Sequence, residues 1–352
     1  MKKAVLLMAL ALGCATAFAQ KMNKNELKQL QNFLTQPAVE AATNQLALKI
    51  VDITAPTTWE GVTIENGHVT KIDWSDKKIA GNLDLSNFSE LKEVNVSRNE
   101  IASLNVSGDG VLTELNASRN KLTTLTLANL PSLTTLKIYK NRLNDLTLSG
   151  TPNVETINCS NNNFAELNLA NSTSLKQLNC QGCRLENLVI TGCSNLKNLY
   201  CGYNKLTSLT LTGVDNLTNL NIDDNEIQNL YIGNLSSLST LICSDNNMTG
   251  LALSNCSNLL DLVCSYNDLT SLTVENCPQL LFVDCSYNDL TTLDLSNQTF
   301  LQRVLCNNNQ LTTLNVSFDQ ALVYVNCRYN MINDLRTEGS NNLRMVACQW
   351  NY

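Results

Sequence analysis

Cys180 and Cys183 stand three apart in Cys180-Gln-Gly-Cys183, the spacing of a redox dithiol. That chemistry requires the pair at a helix start with a lowered thiol pKa. Asp223, Asp224 and Asp245 form a second candidate group, with carboxylate oxygens suited to calcium. The chain has a single histidine, His68. A Ser-His-Asp or Cys-His triad would have to use it, and a multi-histidine zinc site cannot form. No Gly-rich phosphate loop and no G-x-S-x-G turn occurs. A formal net charge of -7 disfavours nucleic acid, which requires a basic face. The expectation is a protein that is not an enzyme and needs neither cofactor nor metal.

The candidate groups dissolve once their phase is read. Of 352 residues 60 are Leu and 51 are Asn, a bias that points to one unit repeated many times. The frame is Leu-x-x-Leu-x-Cys/Leu-x-x-Asn, followed by x-Leu-x-x-Leu-x-Leu. Its Asn falls at 99, 120, 141, 162, 204, 225, 246, 267, 288, 309, 330 and 351, in steps of 21 or 42, and Cys183 fills the one gap. An imperfect earlier turn from Val69 enters with one extra residue. Nine of the 14 cysteines (159, 180, 201, 243, 264, 285, 306, 327 and 348) lie three residues before these marks. Cys180 is therefore one of a column, and Cys183 stands in for an Asn. Cys193, Cys256 and Cys277 share a second phase.

Such a unit dictates its own elements. Residues alternate across an extended strand, so positions five and three before each Asn face inward. Positions six, four and two before it face out. Twenty-one residues hold one short strand and a return without a full helix, so the return is expected to be extended or 3₁₀. One coil cannot bury its apolar edge, and coils must stack into a parallel sheet. At ~4.8 Å per strand, thirteen strands give a face on the order of 60 Å long. The Asn column is expected to cap backbone groups inside the turns. Stacked thiols at the inward position are expected to be buried and reduced. A disulfide between Cys256 and Cys277 stays open.

The frame resembles the leucine-rich repeat superfamily. With its 21-residue period and column of Cys, it is most similar to the cysteine-ladder branch of the bacterial internalin-type repeats. The resemblance covers residues 69–352, and the segment from Trp59 is similar to the lead-in before many such repeats. It implies an α/β-type repeat solenoid, a right-handed horseshoe with a parallel concave β-sheet. A short helical N-terminal cap at residues 20–68 would precede it, since Leu27, Leu30, Phe33 and Leu34 keep helical spacing. Trp59 and Trp74 are expected to pack beneath that cap, and His68 to sit in a turn without a partner.

Outward positions are free of the repeat's demands, and there a ligand would be read. One residue before the Asn stand Arg98, Arg119 and Lys140 in early coils, then Tyr203, Tyr266, Tyr287, Tyr329 and Trp350 in later ones. Phe282 and Tyr324 join the late aromatic group, while Glu93 and Glu114 are expected to pair with the early arginines. Aromatic side chains dominate binding hot spots. These seven aromatics are the predicted ligand site, for a protein or a glycan on the concave face. The family resemblance implies adhesion or host interaction. Lys2 and Lys3, the apolar run 4–12 and Ala17-Phe18-Ala19 read as a secretory signal over residues 1–19. A lipobox-like Leu12-Gly13-Cys14 leaves lipidation at Cys14 as a rival, and no later segment is long and apolar enough to span a membrane. The chain stops one residue past the last mark, so an uncapped last coil is expected. It gives an alternative role, end-to-end assembly of copies.

Overall fold

A computed structural model describes residues 22–351. The signal sequence and Cys14 lie outside the described residues. Among these residues no helix is long and apolar enough to cross a membrane.

The chain opens with helix α1 (Lys24–Leu34), whose N-cap Asn23 accepts hydrogen bonds from the Asn25 and Glu26 amides. Its apolar face buries Leu30, Phe33 and Leu34, and Phe33 stacks on Trp74 at 5.9 Å. Trp59 is buried too and donates from Nε1 to the Asp52 carbonyl at 2.9 Å. Both tryptophans thus lie under the cap as predicted. A short helix, α2 (Asn44–Ala47), follows, then the hairpin of β1 (Val62–Glu65) and β2 (His68–Asp73). His68 opens β2 instead of occupying the turn, which Asn66 and Gly67 make with positive φ. It does have a partner, Glu26 Oε1 at 2.8 Å, which corrects the sequence reading.

After β2 each coil contributes one three-residue strand to a 15-stranded sheet that is parallel after the first hairpin. Neighbours pair at a constant offset of 21, as in Glu93↔Glu114 and Phe282↔Arg303. Lys71↔Glu93 is offset by 22, the extra residue seen in the imperfect first turn. The middle residue of each of these strands but the last, such as Leu115, Leu178, Leu262 or Val325, is buried, and Val346 in the last is partly buried. The returns are extended instead of 3₁₀ and pair among themselves in four short parallel sheets. Among the described residues a 3₁₀ turn appears only before the repeats, at Pro56–Thr58.

The Asn column works as predicted. Asn267 Oδ1 accepts from Met248 N at 3.1 Å, while its Nδ2 donates to Cys243 O at 3.0 Å and to Cys264 O at 3.3 Å. Each amide so joins its own coil to the one before, and the side chain is buried. The outward pattern needs one correction. Strands end four residues before the Asn, and the chain then turns inward. The position two before the Asn is therefore buried in many coils, with Ser97, Ser118, Ser160 and Ser265 among its occupants. Where an Asn stands two residues earlier the serine hydroxyl donates to it, as Ser118 Oγ does to Asn116 Oδ1 at 2.7 Å, while Ser244 and Ser265 pair with each other at 3.0 Å.

Candidate binding surface

The residue just before each Asn has left the strand and adopts the left-handed conformation in every coil. Arg98, Arg119 and Lys140 have φ of 58°, 55° and 55°, and Tyr203, Tyr266, Tyr287, Tyr329 and Trp350 lie between 54° and 66°. The column consequently runs along the rim of the sheet, not on its inner face. Nor is it free of the repeat's demands, as the sequence suggested. A left-handed turn favours Gly or Asn and disfavours bulky side chains by ~1–2 kcal/mol. Aromatics at five such positions are therefore not there for the turn's sake.

The rings stand in order. Tyr266 and Tyr287 stack at 4.3 Å and 8°, and Tyr329 and Trp350 at 6.1 Å and 5°. All four rim residues remain 43–54% exposed, and Tyr203 is 57% exposed. The Tyr203 hydroxyl lies near the Asp223 carboxyl, which burial raises above the usual carboxylate range. Gly202 makes room for that carboxyl, since a Cβ there would sit 2.0 Å from Asp223 Oδ1. Asp223, Asp224 and Asp245 do not assemble into a calcium site. Among the described residues no three His, Cys, Asp or Glu side chains are grouped to hold a metal ion.

Phe282 and Tyr324, by contrast, lie on the inner sheet. They belong to strands on either side of Arg303, whose guanidinium carbon is 5.6 Å from the Phe282 ring and 5.7 Å from the Tyr324 ring. Around them the sheet presents half-buried Ile242, Val263 and Leu305 and exposed Met345, none of which sequence reasoning singled out. Their signal was present: the position four before the Asn is Asn or Lys in six of the first seven coils and apolar in these three later ones. At the N-terminal end the same face is charged. Lys71 pairs with Glu93 at 2.6 Å and Lys137 with Glu114 at 3.0 Å. The predicted pairing of these glutamates with Arg98 and Arg119 is not formed, because the arginines stand on the rim. Arg119 lies over the Tyr139 ring instead, at 5.8 Å.

No family model matches the chain, and no curated protein is significantly similar to it. Among solved structures it is similar to YopM, a leucine-rich effector protein from Yersinia pestis (23% identity over 75% of this chain and 78% of that one, TM-score 0.57). It is also similar to a leucine-rich-repeat protein from Leptospira interrogans (21% identity, 89% and 95% covered, TM-score 0.50). The functional domain of InlJ from Listeria monocytogenes, which includes a cysteine ladder, matches at 28% identity over 71% and 68% (TM-score 0.49). The fold is a leucine-rich-repeat solenoid.

Within this solenoid the ladder cysteines are core. All except Cys348 are buried, and every described cysteine is a free thiol. Burial pushes Cys243 up to about 12 and Cys327 up to about 11, far from a reactive thiolate. Cys256 and Cys277 are unbridged, and each thiol donates to a backbone carbonyl, Cys256 Sγ to Ser254 O at 3.7 Å and Cys277 Sγ to Glu275 O at 3.4 Å. Cys183 keeps one bond of the Asn that it replaces, Sγ donating to Cys159 O at 3.2 Å.

Proposed function

We propose that this leucine-rich-repeat chain is an exported binding protein. In this reading it takes a protein ligand against the C-terminal half of its concave sheet. Phe282, Arg303 and Tyr324 form the centre, and Tyr203 with the stacked Tyr266–Tyr287 and Tyr329–Trp350 pairs forms the rim. The gain of apolar and aromatic side chains on the inner sheet, at positions that hold ion pairs in the early coils and beside Asp261, Asp284 and Arg303, carries the reading. The scaffold does not require that change, because early coils stack equally well without it. Aliphatic Ile242, Val263, Leu305 and Met345 favour a protein over a glycan, since they offer a sugar no hydrogen bond. Export rests on the signal-like residues 1–19, and adhesion or host interaction on the resemblance to internalin-type repeats.

An array of surface and host proteins probed with residues 20–352 tests the reading. Phe282→Ala/Tyr324→Ala should weaken capture at least ~30-fold, the usual consequence of removing hot-spot side chains. Tyr266→Asn/Tyr287→Asn should also bind less, yet keep stability within ~1 kcal/mol, because Asn suits the left-handed turn and offsets the lost stacking. Arg98→Ala/Arg119→Ala should bind normally. Loss of capture in the arginine variant alone would place the ligand at the other end.

A further inference from the structure

A second surface lies on the opposite side, where the returns form their own sheets. Tyr231 is 77% exposed there, at the outward position of its return. Its counterparts one coil away, Thr210 and Ala252, are small, so the ring stands without an aromatic neighbour on either side. It does not project freely. A Cβ on Gly233 would lie 2.5 Å from Tyr231 Oη and 2.7 Å from Cζ, so the phenol end of the ring rests over the bare backbone of Gly233. The rest of the ring is open to solvent.

Two clefts meet at this ring. One of about 420 Å³ is bordered by Thr210, Thr212 and Asp215, and the other, of about 500 Å³, by Asn229, Ser271 and Thr273. Both volumes fall in the ~300–1,000 Å³ range of small-ligand sites. Of all the residues that line them, Asp215 alone is charged, and Thr210, Thr212, Asn229, Ser271 and Thr273 set hydroxyls and an amide into walls that are otherwise largely apolar.

We propose that Tyr231 and its two clefts bind a neutral oligosaccharide. The electron-rich face of an aromatic ring attracts the polarised C–H groups of a pyranose. Ser, Thr and Asn side chains both donate and accept, as sugar hydroxyls require, and Asp215 adds an acceptor. A cleft on either side of one platform suits a chain of sugar units, the central one on the ring and its neighbours in the clefts. The site is independent of the protein-binding reading of the concave sheet.

Residues 20–352 should be titrated with cellohexaose, maltohexaose, laminarihexaose and chitohexaose, followed by calorimetry and saturation-transfer NMR. At least one hexaose is expected to bind. Tyr231→Ala should then weaken it ~10-fold or more. Tyr231→Phe should retain it, because the ring is the platform. Gly233→Ala, which tilts the ring while leaving it in place, should weaken binding, and Phe282→Ala/Tyr324→Ala should leave it unchanged. Failure of all four hexaoses to bind, or binding indifferent to Tyr231→Ala, overturns the proposal. So does binding that is lost only in the concave-face variant.

Discussion

At the scale of single residues, the repeat defines slots whose chemistry can be compared across coils. Ten residues after each Asn is a buried slot in the return. Ser340 fills it by donating from Oγ to Val316 O at 2.6 Å and accepting from Asp319 N at 3.0 Å. Cys193 donates there to Leu169 O at 3.1 Å. The slot thus has a carbonyl waiting for a donor. Asp109 and Asp319 occupy it with carboxyls: one oxygen of each accepts a backbone amide, from Phe88 and Gln298, and the other is buried without a partner. A protonated acid supplies the missing donor, as the serine does. Burial accordingly raises Asp109 to about 8 and Asp319 to about 7, helped by Asp84 and Glu26 near the first and Asp294 near the second. Both pKa values exceed the unfolded 3.8, so this stabilising contribution is full below pH ~4 and fades as pH rises towards 7–8. Each group lowers stability by up to ~1.4 kcal/mol per pH unit in that window. Urea melts of Asp109→Asn between pH 4.5 and 8 should show a flatter pH dependence than the native chain, since the amide supplies a donor without ionising. An unchanged slope would show that Asp109 is ionised when folded.

At the scale of the element, strand and turn were legible to different depths. The inward Leu and Cys, the Asn caps and the parallel register follow from repetition alone, because each coil reports the same packing problem. What alternation could not show is where the strand stops. It was carried through the turn, so Ser97 and its equivalents were read as outward and the rim aromatics as concave. The left-handed residue leaves no sequence signal when Arg, Asp, Tyr and Trp all fill it. Tyr231 escaped for a related reason, since the platform depends on Gly233 and on two clefts between coils. Cys183 marks the one coil where the turn chemistry is incomplete. Asn204 Oδ1 accepts from both Cys183 N and Leu185 N, whereas Cys183 offers no amide oxygen to the coil before it. Arg184 is left-handed as well, which the residue after the Asn in other coils is not. Cys183→Asn should therefore stabilise by ~1 kcal/mol, the net worth of a regained hydrogen bond. A denaturant midpoint that falls instead would show that the turn at Arg184 is adapted to cysteine.

At the scale of the whole molecule, coils touch only their neighbours, so stability should vary along the stack and not be shared equally. The N-terminal end is tied by a few polar bonds. Glu26 is 2% exposed, and its Oε2 accepts from Val69 N at 2.9 Å while Oε1 meets His68. Asn44 adds bonds from Nδ2 to Phe33 O and Ala80 O, joining the cap helices to the first return. Removing the Glu26 carboxylate leaves the Val69 amide buried and unpaired, a loss of ~1–3 kcal/mol. If coupling passes only from neighbour to neighbour, Glu26→Ala should speed amide exchange over residues 69–105 and leave residues 240–347 unaffected, along with ligand capture there. Glu26→Gln, whose amide oxygen can still accept from Val69, should lie between Ala and the native chain. Equal acceleration in both regions would mean that the stack opens as one unit, so that the cap governs the C-terminal surface from the far end of the solenoid.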